Sequence, residues 1–207
     1  KLLDGVVPCS RVAIIRPEAH DGHTTAEYRG WYRALTEGHF PFDAIYASRM
    51  EAVGLSRYTT LILPDDRYMS DSRAAMIDTF VANGGTVIAT GETGFYDEHY
   101  ERRKTPALSC LGVERCLNVR DDARGSYFKI TPNDQLPGFA PDEQLVALDG
   151  TYLYHAYASG VERHLSFIPP SPFGPPERCY YTDVSEISGI GVTPYGKGKG
   201  ICIPWLV

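Results

Sequence analysis

Short apolar runs alternate with amphipathic segments over residues 11–90, and this alternation is the strongest constraint on the fold. The apolar runs are rich in β-branched residues and lie at residues 11–16, 43–47, 59–63 and 86–90. Between them, residues 24–37 and 70–83 carry apolar side chains at helical spacing. Continuous apolar strands separated by helices are typical of a parallel sheet with both faces covered. We therefore predict an α/β fold with a flavodoxin-like, doubly wound, mostly parallel sheet.

The second half of the chain has a different pattern. Beyond residue 95, Pro-rich loops such as residues 168–176 separate a series of short strand candidates. These candidates lie at residues 115–119, 126–130, 145–148, 152–157, 164–168, 179–182, 191–195 and 200–203. A Gly- and Lys-rich turn at residues 195–200 joins the last two strands, since glycine adopts the positive φ that tight turns need. We predict that residues 114–207 form an antiparallel, β-rich extension that completes the domain begun by residues 1–113.

Charge and hydropathy exclude two classes of partner. The chain has 207 residues, with 20 Lys and Arg against 26 Asp and Glu, and therefore a formal charge of −6. Because nucleic-acid binding depends on neutralising phosphates, we expect no nucleic-acid partner. No stretch approaches the run of about 18 apolar residues that a membrane-spanning helix needs, so we expect no membrane partner.

The cysteines and histidines do not form a metal motif. The five cysteines are scattered and include no Cys-x-x-Cys pair. The segment His20-Asp21-Gly22-His23 has metal-ligand residue types, but no third ligand is evident, so we expect no metal and no cofactor. Scattered cysteines favour a reducing, cytoplasmic setting. The sequence starts at Lys1 and stops in an apolar run, which we interpret as a piece of a longer polypeptide.

Polar side chains follow three of the predicted strands, at the places where a ligand site would form. In open α/β sheets, ligands bind at the carboxyl ends of the strands. Here those ends carry Arg16, Asp65, Asp66, Glu92 and Thr93. We predict that these residues share a candidate pocket at that edge of the sheet.

The turn Gly91-Glu92-Thr93-Gly94 follows a predicted strand and occupies the position of a nucleophile elbow. Covalent catalysis at an elbow needs Ser or Cys, and this turn carries Glu92 and Thr93 instead. We therefore predict no catalytic residue. Two enzymatic alternatives stay open: a stand-alone hydrolase or amidotransferase-like enzyme that uses Glu92, and a glycosidase carboxylate pair made by Glu92 with Asp65 or Asp66.

Tyrosine is unusually frequent, with 14 in the chain. Because Tyr combines an apolar ring with a polar hydroxyl, it is favoured at interfaces. We predict a protein–protein or interdomain surface formed by Tyr152, Tyr154, Tyr157, Tyr180 and Tyr181. Two alternatives remain: the rings line the two faces of a β layer, or some of them stack on a sugar in a carbohydrate-binding module, together with Trp205.

Several stretches of the sequence carry a family resemblance. They are Trp31-Tyr32-Arg33-Ala34-Leu35 before Pro41-Phe42-Asp43, Leu55-Ser56-Arg57-Tyr58 before Leu61-Ile62-Leu63-Pro64, residues 75–81 closed by Asn83-Gly84-Gly85-Thr86, and residues 107–113 (ALSCLGV). In their order, residues 11–113 resemble the β-galactosidase trimerisation domain, which has a class I glutamine-amidotransferase-like fold. The turn at residues 195–200 is similar to the closing hairpin of that domain, whereas residues 114–190 match less clearly.

This resemblance implies an auxiliary role rather than a catalytic one. Domains of this family usually follow a TIM-barrel glycoside hydrolase domain in the same polypeptide. They contribute to oligomer contacts and lack the amidotransferase nucleophile, which agrees with Glu92 and Thr93 in the turn. For this chain the resemblance implies an adjacent TIM-barrel domain and a homo-oligomer, trimeric or dimeric, within a poorly characterised glycoside hydrolase.

Overall fold

The structure is a computed structural model that describes residues 9–18, 22–132, 134, 138–140, 142–170, 174, 175, 177 and 183–206. Its strands are β1 (Val12–Arg16), β2 (Phe42–Tyr46), β3 (Thr60–Leu63), β4 (Thr86–Thr90), β5 (Val113–Arg120), β6 (Ser126–Lys129), β7 (Leu145–Leu148), β8 (Tyr152–Tyr157), β9 (Glu162–Ile168), β10 (Ser188–Tyr195) and β11 (Gly198–Ile203). The α-helices are α1 (Gly22–Glu37), α2 (Met50–Val53) and α3 (Asp71–Ala82), and 3₁₀ turns lie at Ala47–Arg49 and Ser109–Leu111.

The chain is a mixed α/β fold built on one large mixed sheet. The strand order of this nine-stranded sheet is β2-β1-β3-β4-β11-β10-β9-β6-β7. The first five strands are parallel, and each of the next four is antiparallel to its neighbour. Strand β11 comes from the end of the described chain but lies beside β4, so the two halves of the sequence share a single sheet. Strands β5 and β8 form a separate antiparallel pair.

Helices cover both faces of the parallel part. Ile14 of β1 packs with Leu35 of α1 on one face, whereas Ile15 packs in the same cluster as Ile77 of α3 on the other. This division follows from the pleat of a strand, because successive side chains point to opposite faces. The central parallel strands β1, β3 and β4 therefore carry apolar side chains on both faces, as their sequences predicted.

The helix α3 begins and ends at clear sequence signals. The Ser70 hydroxyl accepts a hydrogen bond from the backbone amide of Arg73, as expected of a helix N-cap. After Asn83 the chain turns at Gly84, which has a φ of 114°. Strands β4, β7 and β8 have the predicted bounds. The sequence did not predict the short helix α2.

The hairpin between β10 and β11 needs glycine because it packs closely against the end of α3. Gly196 has a φ of 60°, and a Cβ at this position would lie 2.6 Å from the backbone of Ala82. The Lys197 amide donates to the Ala82 carbonyl at 2.9 Å, so the turn rests on the end of α3. Glycine is needed here for close approach to a helix end, and the turn is the predicted hairpin.

The tyrosines of β8 correct the predicted interface. Tyr152 is fully buried, and its hydroxyl donates to the Ser188 carbonyl at 2.8 Å. The centre of its ring lies 4.8 Å from the centre of the Phe167 ring, and both residues belong to a second core cluster. Tyr157 is also buried, and Tyr154 is half-buried against this cluster. The alternative of a β layer therefore describes Tyr152 and Tyr157, because their strand is covered on the sides where these rings point. The other two tyrosines of the predicted interface, Tyr180 and Tyr181, lie outside the described residues, as does the strand candidate at 179–182.

Candidate functional site

The carboxyl ends of β3 and β4 are joined by buried hydrogen bonds. The Glu92 amide donates to Oδ1 of Asp65 at 2.8 Å, and the Asp65 amide donates to Oγ1 of Thr90 at 3.1 Å. The Asp66 amide donates to Oγ1 of Thr93, whose hydroxyl lies 2.7 Å from the Thr90 carbonyl. Four of the predicted pocket residues, Asp65, Asp66, Glu92 and Thr93, are thus brought together and buried.

Two unusual backbone conformations shape this junction. Gly91 has a φ of 57°, and Asp65 has a φ of 47°, which is uncommon for a residue with a side chain. A Cβ at Gly91 would lie 2.4 Å from Asp65 Oδ1 and 2.8 Å from a methyl group of Leu206. The turn therefore needs glycine both for its φ and for the room that the Asp65 carboxylate occupies.

Arginines neutralise the carboxylates on the outer side of the junction. Arg67 Nε lies 2.8 Å from Asp65 Oδ2, and its Nη1 lies 3.6 Å from Glu92 Oε2. Arg102 Nη1 donates to Glu92 Oε1 at 2.6 Å, and its guanidinium stands 5.4 Å from the centre of the Phe95 ring. Aspartate, glutamate and two arginines therefore alternate along one chain of ion pairs.

Asp66 belongs to a second ion pair at the start of α3. Its Oδ1 accepts a 3.0 Å hydrogen bond from Arg73 Nη2, which also donates to the Tyr68 carbonyl. Asp66 and Arg73 are both largely buried, with side-chain exposures of 3% and 15%. This pair ties the loop after β3 to the first turn of the helix.

Burial dominates the titration of the two aspartates. Desolvation raises the pKa of Asp65 to about 6, although Arg67 and the Glu92 amide act in the opposite direction. Desolvation also raises the pKa of Asp66, and Arg73 opposes that shift. Neutral pH therefore lies only a little above the pKa of the Asp65 carboxyl.

The structure departs from the predicted pocket in two respects. Arg16 does not join the junction, because its Nη1 donates to the Tyr46 hydroxyl at 2.8 Å and its guanidinium lies over the Tyr46 ring. Conversely, the sequence reasoning missed Arg67, Arg73 and Arg102, which hold the carboxylates. A signal existed for Arg67, because it follows the two aspartates directly in the sequence.

The geometry of the turn at residues 91–94 is not that of a strand–turn–helix elbow. Residues 91–108 are all described, and no helix follows β4 within them. The carboxylates of Glu92 and Asp65 each accept hydrogen bonds from an arginine. Such an arrangement supports a structural brace between two strand ends.

A cysteine–histidine pair lies elsewhere in the core. Cys202 Sγ is 3.6 Å from His155 Nδ1, and both residues are buried. Burial raises the pKa of the Cys202 thiol to about 12 and lowers the pKa of His155 to about 4, with Arg102 adding to the second shift. Both groups are therefore neutral near pH 7, whereas a cysteine nucleophile needs the thiolate.

Neither a metal cluster nor a membrane helix is found in the described parts of the chain. Among the described residues, no group of three or more His, Cys, Asp or Glu side chains is placed to hold a metal ion. His20 and Asp21, from the segment weighed as a metal motif, lie outside them. No helix in the described ranges has the length and hydropathy of a membrane span.

Solved structures with the same fold include much longer enzymes. A β-galactosidase from Bacillus circulans sp. alkalophilus aligns over 96% of this chain and 29% of its own length, with 16% identity and a TM-score of 0.73. A β-galactosidase from Rahnella sp. R3 aligns over 95% of this chain and 28% of its own, with 18% identity and a TM-score of 0.69. The chain thus spans less than a third of these enzymes.

A shorter protein has the same fold as well. A ThuA-like protein from Bacteroides uniformis aligns over 97% of this chain and 83% of its own length, with 12% identity and a TM-score of 0.67. At these identities the likeness shows the fold alone. No curated protein matches the sequence.

The sequence itself matches one family model. The match covers residues 12–112, and the model describes the β-galactosidase trimerisation domain. It includes β1 to β4, the helices between them and the braced turn of residues 91–94. Over residues 12–112, just under half of its length, the chain is therefore similar to the β-galactosidase trimerisation domain family.

Proposed function

We propose that this chain is an auxiliary assembly domain of a larger glycoside hydrolase, with no catalysis of its own. The observation that carries the proposal is the match of residues 12–112 to the trimerisation domain family. The chain aligns with only 29% of the length of a β-galactosidase, which supports its attachment to another domain of the same polypeptide. In this proposal, that domain is a TIM barrel, and the assembly is a homo-oligomer of two or three copies.

The ion pairs and hydrogen bonds of the carboxylates at the strand-end site support a structural role. Glu92 is the residue that an enzymatic alternative would use, but its carboxylate forms ion pairs with Arg102 and Arg67. Asp65 has no exposed surface and accepts hydrogen bonds from Arg67 and from the Glu92 amide. We infer that these charges hold two strand ends together and leave no free carboxylate pair for acid–base chemistry.

An exposed aromatic surface at one end of the sheet is suited to self-association. Strand β2 is an edge strand, and around it Tyr32, Phe40 and Tyr46 are 46%, 60% and 49% exposed. Three half-exposed rings offer roughly 300 Å² of surface. A stable interface needs about 800 Å² from each partner, so the rings would supply its apolar centre. We propose a second copy of the chain as the partner at this surface.

The same proposal covers the type of sheet, the extent of the domain and the cellular compartment. The order β2-β1-β3-β4, with helices on both faces, supports a flavodoxin-like, doubly wound unit within residues 1–113. The pairing of β11 with β4 supports a β-rich extension over 114–207 that completes the same domain. Buried free thiols at Cys110 and Cys202 support a cytoplasmic, reducing setting.

Two measurements on the purified chain test the proposal. Sedimentation velocity over a wide range of concentrations should detect reversible self-association. Assays with glutamine and with chromogenic β-galactosides should detect no turnover above background. Turnover that disappears in a Glu92→Gln variant would overturn the proposal in favour of the enzymatic alternative.

A further inference from the structure

A small cavity lies beside the strand-end junction, and neither the family match nor the assembly proposal uses it. Its volume is about 290 Å³, at the lower limit of the usual range of small-molecule pockets, about 300–1,000 Å³. It is lined by the segment after β1, the loop after β3, the start of α3 and the loop of residues 96–101. Together these elements contribute three carboxylates, an arginine, a serine and two tyrosines.

The floor of the cavity holds two incompletely paired polar atoms. Asp66 and Arg73 both line it. Among the residues that the structure describes, Asp66 Oδ2 lies 3.0 Å from Arg73 Nη2 but accepts no hydrogen bond, and Arg73 Nε donates none. Buried polar atoms in native proteins usually have partners, so a free acceptor and a free donor beside one cavity need an explanation. Both atoms are closed to solvent, and a ligand would reach them only when the Arg73 side chain moves.

Two tyrosines form an aromatic wall of the cavity. The rings of Tyr68 and Tyr100 meet edge to face, with their centres 4.8 Å apart. Tyr68 is half-buried, whereas Tyr100 is 71% exposed. Tyr100 also has a φ of 68°, a strained conformation for an aromatic residue. The loop therefore holds a large ring in solvent at the mouth of the cavity.

The rim adds carboxylates and a hydroxyl. Glu18 and Glu98 line the cavity from opposite loops, and Ser70 lines it from the N-cap of α3. With Asp66 paired to Arg73, the carboxylates of Glu18 and Glu98 leave the cavity with a net negative charge. A negative cavity disfavours anionic ligands such as phosphates and uronates.

We propose that this cavity binds a neutral monosaccharide unit. A sugar hydroxyl both donates and accepts, so it can satisfy Asp66 Oδ2 and Arg73 Nε together, which an ammonium cation cannot do because it only donates. Glu18, Glu98 and Ser70 offer further acceptors and a donor to the other hydroxyls. The apolar C–H face of the sugar ring would lie on Tyr100. This binding is independent of assembly, because Tyr32, Phe40 and Tyr46 do not line the cavity.

An NMR titration of the ¹⁵N-labelled 207-residue chain tests the proposal. Methyl β-D-galactopyranoside and methyl β-D-glucopyranoside serve as neutral probes, glucuronate as an anionic probe and methylammonium as a cationic probe. We expect saturable shifts, caused by the neutral sugars alone, in the backbone amides of residues 70–73 and 96–101. No shift up to the solubility limit, shifts located elsewhere, or binding of methylammonium or glucuronate in place of the sugars would overturn the proposal.

A pair of variants that each remove one exposed aromatic ring makes the test specific. Tyr100→Asn removes the ring but keeps a residue type that tolerates a positive φ, so the loop should keep its fold. It should weaken sugar binding by about tenfold, the effect of losing one aromatic contact. The control, Phe139→Asn, removes another exposed ring, outside both the cavity and the proposed assembly surface, and should leave binding unchanged. Equal affinity in the two variants would contradict the assignment, and unchanged spectra away from the substitutions verify folding.

Discussion

The backbone amide of Glu92 donates a 2.8 Å hydrogen bond to Oδ1 of Asp65, a carboxylate with no exposed surface. This bond joins the ends of two neighbouring parallel strands, at the edge of the sheet where α/β enzymes bind substrates. Here one oxygen of the carboxylate accepts from a backbone amide and the other from Arg67. At a place that is catalytic in many proteins, this chain thus has a hydrogen-bonded and ion-paired junction between two strand ends, for which we propose a structural role.

The brace depends on the absence of a side chain at residue 91. We predict that Gly91→Ala lowers the free energy of unfolding by about 3 kcal/mol, since the new Cβ would combine left-handed strain with a collision against Asp65. Urea denaturation measures this change. Gly160→Ala is the control, because Gly160 also has a positive φ, of 91°, and no atom lies within 4 Å of its Cβ position. It should cost only the backbone strain, about 1 kcal/mol, and equal losses in the two variants would contradict the brace.

The Asp65 carboxyl should titrate far above an ordinary aspartate. Burial raises its pKa from 3.8 to about 6, so the folded chain binds a proton more tightly than the unfolded chain. Its contribution to stability is therefore greatest at low pH and is lost as the pH rises from about 4 through 6. The ¹³Cγ shift of Asp65, followed by NMR, should have its midpoint near 6. A midpoint below 4 would mean that the ion pair with Arg67 outweighs desolvation.

His155 should make the protein sensitive to acid. Burial lowers its pKa from 6.5 to about 4, so the unfolded chain binds the proton more tightly. Stability should therefore decrease as the pH falls from 6.5 to 4, by about 3 kcal/mol from this group. The test is the difference in unfolding free energy between the parent and His155→Phe, measured across this range.

A histidine on the surface provides the control for that effect. His99→Gln replaces an exposed imidazole and should keep the acid sensitivity of the parent chain. His155→Phe should lose the part of the pH dependence that lies between 4 and 6.5. If both variants follow the parent curve, His155 takes up its proton as easily in the folded chain as in the unfolded chain, and this prediction is wrong.

Local patterns in the sequence predicted local structure well. The apolar run of β4 and the helical spacing of apolar residues in 70–83 defined their elements, because β-branched clusters and helical periodicity act over a few residues. The position of β11 between β4 and β10 was not predictable in this way, since it results from pairing between distant segments. The aromatic residues of β8 show the same limit. Tyr152 is buried because β8 lies against a second core, and composition alone does not reveal which face is covered.

The sequence predicted the carboxylates of the candidate site but not the arginines that bind them. Asp65, Asp66 and Glu92 follow strands directly, and the parallel topology brings such positions to one edge. Arg102 comes from a loop ten residues beyond Glu92, and no periodicity indicates that it folds back. Arg16 fulfilled the same positional rule as the aspartates, but its long side chain bends away to Tyr46.

Sedimentation of a matched pair of variants tests the central claim, that this chain is an assembly domain, most directly. Phe40→Asp places a charge on the most exposed of the three aromatic residues around β2, Tyr32, Phe40 and Tyr46. Val184→Asp places the same charge on an exposed residue outside this set. We predict that the parent chain and Val184→Asp associate reversibly to two or three times the monomer mass, and that Phe40→Asp stays monomeric. A parent chain that sediments as a monomer at every concentration, or a Phe40→Asp variant that associates like the parent, would contradict this account.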